Sequence, residues 1–181
     1  MDSIQTLAAR VRAGDLDPLE LAGQAIERAK AAAGLNAIVH LDERPAGAAD
    51  GPLAGIPVLV KEIVAVAGWP FTCGSAVFAG RVADRDAEIV ARLRAAGAVI
   101  IGLTHSHEFA YGCTGTSNVS GPCRNPHDPG RMTGGSSSGS AAAVGAGVVP
   151  LAIGTDTAGS VRIPAAFCGA VGALPARGTR P

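Results

Sequence analysis

The sequence predicts an α/β fold, a mixed sheet surrounded by helices. Two apolar runs of strand length, Ile56 to Lys61 and Ala98 to Leu103, are continuous rather than alternating, the pattern of strands buried on both faces. Between them, Asp86 to Ala96 has helical spacing, so strand, helix and strand follow in order. Hydrophobic residues make up 48% of the 181 residues and charged residues 17%, a balance that supplies a buried core and excludes disorder. Aromatics are only 3%, so that core must be built from Ala, Val, Leu and Ile.

Each element has its own signals. Ser3 to Arg12 reads as a short helix with Ile4, Leu7 and Val11 on one face, ended by Gly14. Asp17 is placed as an N-cap, with Pro18 at the first helical position and Glu20 at the third. Leu19, Ala22, Ile26, Ala29 and Ala33 then form an amphipathic stripe, and Gly34 is the expected stop. This pair is a helical lead-in of about 34 residues to one domain spanning 1–181. Asn36 to Leu41 is an expected strand, and 43–53 a loop. In the next helix Asp86 is the expected cap, Ile89, Val90 and Leu93 point inward, and Gly97 is the stop. Residues 114–133 are polar and turn-rich without a regular period. Ser138 to Gly147 reads as a closely packed helix of small residues, and Val148 to Ile153 as another buried strand.

The formal net charge is zero and no basic run exceeds two residues, so no direct nucleic-acid role is expected. No apolar run approaches the roughly 18 residues of a membrane span, so no membrane partner is expected either. The four cysteines, Cys73, Cys113, Cys123 and Cys168, form no CxxC pair, and no secretory signal is expected at the start. Reduced thiols in a cytoplasmic protein are the expectation.

Three segments carry chemistry. Lys61 ends an apolar strand; it either reaches water or is a desolvated amine able to act as a base. GGSSSGSAAAVGAG, at 134–147, has the composition of a linker but runs straight into core-like sequence, and it lacks the lysine of a phosphate-binding GxxxxGK[ST] loop. GTDTAGSVRIPAAFCG, at 154–169, sets small residues before Ser160, which lets successive backbone N–H groups converge as an oxyanion hole requires. Asp156 and Arg162 flank that loop and are placed to pair and hold its shape.

Together, GIPVLVKE, RNPHDPGRMTGGSSSGSAAAV and GTDTAGSVRIPAAFCG resemble the amidase signature family, and the resemblance runs over nearly the whole chain. Ser160 lies 24 positions after Ser136, as the family pattern requires, with Lys61 upstream. The resemblance implies a Ser–Ser–Lys triad: Ser160 as nucleophile, Ser136 as bridging serine and Lys61 as base. It implies a cis peptide between Gly135 and Ser136, which Gly135 eases by having no side chain. Backbone N–H groups of Thr157, Ala158, Gly159 and Ser160 become the oxyanion hole, and Ser137 a hydrogen-bonding support. The implied substrate is a small-molecule amide, cleaved through an acyl-enzyme without metal or cofactor.

Two departures stand out. The family usually shows Asp and Asn after the lysine, where this chain has Glu62 and Ile63. Family members also continue well beyond Pro181, so the resemblance implies an N-terminal portion whose pocket is incomplete. The expected partners are therefore a missing C-terminal portion or a second copy in a homodimer. The alternative activities are an inert truncated fragment and the glutaminase component of a tRNA-dependent amidotransferase. A remote alternative, a metal-dependent amidohydrolase, rests on His105 and His107 in THSHE.

Overall fold

The computed structural model describes residues 2–176 and 178; Pro181, where the expected domain ends, lies outside them. Two helices lead in. Helix α1, Ile4–Arg12, is capped by Ser3, whose hydroxyl accepts from Thr6 N, and buries Leu7, Ala8 and Val11. Helix α2, Pro18–Ala31, starts as expected on Asp17, whose carboxylate accepts from Leu19 N. Its buried face, however, is Leu21, Ala22, Ala25, Ile26 and Ala29. Leu19 is 52% exposed and Ala33 is exposed, because the inward stripe begins two residues later and α2 ends before Ala33. Gly34 is not the stop: it sits inside a short 3-10 turn, Ala33–Leu35, and the left-handed residue is Asn36.

Four strands form one sheet: β1 (Ile38–Leu41), β2 (Pro57–Lys61), β3 (Val99–Thr104) and β4 (Leu151–Ile153). Their order is β1-β3-β2-β4. β1 runs antiparallel to β3, whereas β2 is parallel to both β3 and β4, so the sheet is mixed as expected. Alternate residues of β2 and β3 enter two cores. Val58, Val60, Ile100 and Leu103 meet Leu7 and Val11 of α1 and Val90 and Leu93 of helix α3 (Glu88–Ala95). Leu59, Val99 and Ile101 meet Ala22, Ala25, Ile26 and Ala29 of α2. Both central strands are thus covered on both faces, which is why their sequences read as unbroken apolar runs.

Asp86 does not cap α3. The N-cap is Ala87, without a side-chain bond, while Asp86 accepts from Ala67 N and pairs with Arg94 at 3.0 Å. The last expected strand is shorter and less buried than its sequence suggests. Pro150 has no N–H to donate, and the ladder starts at Leu151 on a half-buried edge. Helix α4, Ser138–Gly145, and helix α5, Arg162–Cys168, pack closely, with Gly145 against the Cys168 carbonyl. All four cysteines are free. No helix among the described residues is long and apolar enough to cross a membrane.

Candidate active site

The ends of β2 and β4 and the start of α4 meet at one point. Lys61, the last residue of β2, has no exposed surface. Its Nζ donates to Ser136 Oγ at 2.7 Å and to Thr155 Oγ1 at 2.9 Å. Burial pushes the amine down to about 7, against the pull of the Glu62 and Asp156 carboxylates, which favour its charged form. Of the two readings of Lys61, reaching water is excluded: its side chain is buried. The Gly135–Ser136 peptide is cis. Ser136 is fully buried, and its carbonyl accepts from His107 N at 3.0 Å.

The Ser160 loop is tied to the same place through the backbone and Ser137. Ser137 N donates to the Ser160 carbonyl at 3.0 Å. Ser137 Oγ donates to Thr155 O and accepts from Thr155 N, each at 3.2 Å. Ser137 thus joins the run before α4 to the loop after β4. Lys61 and Ser136 are in direct contact, while the Ser160 hydroxyl makes no hydrogen bond among the described residues.

Asp156 organises the turn. Its carboxylate accepts from the N–H groups of Gly159 (2.7 Å), Val161 (3.2 Å) and Arg162 (3.4 Å). The Arg162 guanidinium closes a two-point pair on it at 3.0 and 3.1 Å. That pair, with the backbone donors, holds the Asp156 carboxyl far below the usual carboxylate range. The Gly159 N–H is given to Asp156, whereas those of Thr157, Ala158 and Ser160 make no hydrogen bond among the described residues.

Two side chains missed in the sequence belong to this site. Thr155 is the second partner of Lys61; the parallel pairing of Val60 with Ile153 brings the residues after β4 level with it, a register the sequence does not reveal. Glu62, which departs from the family pattern directly after the lysine, is buried and accepts from Thr72 Oγ1, Gly74 N, Ser106 N, Ser106 Oγ and Asn118 Nδ2 at 2.7–3.2 Å. Its signal in the sequence is a carboxylate directly after a fully buried strand, which must find donors.

THSHE takes a structural place. His105 is buried, with Nδ1 on Ser138 Oγ at 2.7 Å and Nε2 on the Gly121 carbonyl at 2.8 Å, so both ring nitrogens are engaged. Among the described residues no three His, Cys, Asp or Glu side chains are grouped to hold a metal ion.

The family model described as Amidase matches residues 21–181. The chain is 45% identical over 183 residues to the A-subunit of glutamyl-tRNA(Gln) amidotransferase from Deinococcus radiodurans, covering 95% of this chain and 38% of that protein. Among solved structures, it resembles the native peptide amidase of Stenotrophomonas maltophilia with a TM-score of 0.82 at 35% identity, over 91% of this chain and 38% of that one. It resembles the 6-aminohexanoate cyclic dimer hydrolase in its substrate complex with a TM-score of 0.85 at 37% identity, over 93% of this chain and 36% of that one. The chain thus spans well under half the length of the proteins it matches.

Proposed function

This chain belongs to the amidase family, and we propose that it carries an amide-cleaving serine centre, with Ser160 as nucleophile, Ser136 as relay and Lys61 as base. The observation that carries the reading is a lysine without exposed surface, brought down to about 7 and 2.7 Å from a serine hydroxyl. A lysine in that condition is neutral for much of its time near pH 7 and accepts a proton.

Neutral Lys61 takes the Ser136 hydroxyl proton while Ser136 Oγ takes that of Ser160. Ser160 Oγ bonds to the amide carbonyl carbon, and the carbonyl π pair moves onto oxygen. The N–H groups of Thr157, Ala158 and Ser160 receive that oxyanion; Gly159 is left out, since its N–H serves Asp156. The C–N bond breaks, and the proton held on Lys61 returns through Ser136 to the leaving amine. Water, deprotonated by the same route, then releases the acyl group and regenerates Ser160. The residues of this relay need neither metal nor redox group. The lead-in helices and the sheet act as one domain that presents these groups.

A second reading concerns the substrate. The 45% identity to one component of a glutamyl-tRNA(Gln) amidotransferase favours glutamine as the amide donor, with further protein components as partners. Comparing ammonia release from glutamine with hydrolysis of simple aryl and aliphatic amides separates this reading from a free-standing amidase. Ser160→Ala is expected to abolish turnover of whichever amide is accepted. Retained turnover in a folded Ser160→Ala protein overturns the assignment.

A further inference from the structure

We propose that Glu62 is a positioning residue, whose carboxylate clamps the segment that holds Ser136 and sets the field around Lys61. The inference rests on the serine–lysine reading of this site and deepens it.

Successive residues at the end of a strand point to opposite sides. Lys61 reaches Ser136 and Thr155, while Glu62 turns the other way. Its backbone continues the pairing of β2 with β3, donating from Glu62 N to the Thr104 carbonyl at 3.0 Å. Its side chain collects donors from three separate segments. Oε2 accepts from Thr72 Oγ1 at 3.2 Å and Gly74 N at 3.1 Å. Oε1 accepts from Ser106 N at 2.8 Å, Ser106 Oγ at 3.2 Å and Asn118 Nδ2 at 2.7 Å.

Ser106 is the centre of the clamp. Asn118 Nδ2 also donates to the Ser106 carbonyl, at 2.8 Å, so both sides of this residue are fixed. Its neighbours hold the relay serine and the helix behind it. His107 N donates to the Ser136 carbonyl, and the His105 carbonyl accepts from Gly139 N, each at 3.0 Å. Ser138 Oγ also donates to the His105 carbonyl, at 3.2 Å. Residues 105–107 therefore grip 136–139 from one side, and Glu62 grips the middle of 105–107 from the other. The residue covalently next to the base thereby fixes the position of the serine that the base must reach.

The carboxylate is also a charge. Among the described residues no cation lies within ion-pairing distance of it. The charged groups acting on Lys61 are Glu62, the residue after it, and Asp156 in the loop after β4. Asp156 is already paired with Arg162. Glu62 is thus the anion without a cationic partner that opposes burial and keeps the Lys61 amine able to hold the relayed proton.

The chain has only two lysines, Lys30 and Lys61, which makes the test clean. Lysine labelled with 13C and 15N gives two side-chain signals, assigned with Lys30→Arg, and their pH titration reads Lys61 directly, whether or not any amide is turned over. In Glu62→Gln, which keeps the shape and removes the charge, the Lys61 midpoint is expected to fall by about half a pH unit or more. In Glu62→Asp, which keeps the charge one methylene short of its donors, the midpoint stays near the wild-type value. Labelling of Ser160 by a fluorophosphonate slows in this variant by about tenfold or more, as expected when a positioned relay loosens. Should Glu62→Gln fail to fold, Glu62→Asp carries the test through its labelling rate. A Lys61 midpoint unmoved in folded Glu62→Gln, or wild-type labelling in Glu62→Asp, overturns the proposal. Absence of Ser160 labelling in the wild type instead overturns the serine–lysine reading, while the titration still reports on Glu62.

Discussion

At the scale of single residues, the proposed chemistry turns on Lys61. A lysine without exposed surface is costly as an ammonium ion, and here burial outweighs the pull of two carboxylates and brings the amine to about 7. The same shift is a statement about stability. Unfolded, the amine titrates near 10.5, so between about 7 and 10.5 the unfolded chain binds more protons than the folded one. Stability attributable to this site therefore rises as pH increases through that window. Below about 7 the folded protein carries the full penalty, roughly 5 kcal/mol. Lys61→Met removes it. The variant is expected to be inactive, and its gain in denaturant midpoint over wild type is expected to be larger at pH 6 than at pH 10. A gain independent of pH contradicts a depressed amine. If Lys61 is the base as proposed, amide turnover by the wild type shows an acid limb near pH 7, because the base works in its neutral form.

At the scale of elements, α4 explains how two serine loops come so close. Its first turn lies against the end of β3, where Gly139 leaves no room for a side chain: a Cβ there meets the Ala37 carbonyl and His105 N. Ser140 extends the junction, sharing a hydrogen bond with Thr104 Oγ1 at 2.7 Å and donating to the Ile153 carbonyl at 2.9 Å. Gly139→Ala is expected to destabilise the chain by about 2 kcal/mol or more, through overpacking against backbone that cannot move aside. Chemical denaturation checks it, and a loss below about 0.5 kcal/mol counts against the tight junction. An element like α4 is legible in advance because small residues and glycines have few other uses in a core-like run. The caps are less so. Asp17 caps α2 as its position suggests, but Asp86 is drawn to Ala67 N and Arg94 instead, a tertiary competition that local sequence does not show. Helix α5, with Pro164 inside its first turn, is hidden in the sequence because its residues also read as a continuation of the loop before it. In the site, the three residues of the proposed relay stand out by motif and spacing. Thr155 and Glu62 are not, since their roles depend on strand register and on which loops fold back over β2.

At the scale of the whole molecule, the centre of the sheet and its β4 margin differ. β2 and β3 are covered on both faces, whereas β4 is a three-residue edge whose side chains are only half buried. Beside it runs a groove of about 610 Å³, lined by Leu151, Ile153, Val161, Val171 and Leu174 among others. An apolar edge of this kind lowers stability and invites association. The purified 181-residue chain is accordingly expected to melt below about 45 °C and to associate as concentration rises. Calorimetry with light scattering tests this. A sharp melt of a monomer above about 65 °C contradicts it.

The central proposal is the activation of Ser160 by Lys61 through Ser136. Its most direct test is the rate at which a fluorophosphonate modifies Ser160, followed by intact mass and peptide mapping across pH. The account predicts a single adduct on Ser160, forming faster as pH rises through about 7, absent in Ser160→Ala and at least about a hundredfold slower in Lys61→Ala. An adduct on another residue, or an unchanged rate in folded Lys61→Ala, would contradict it.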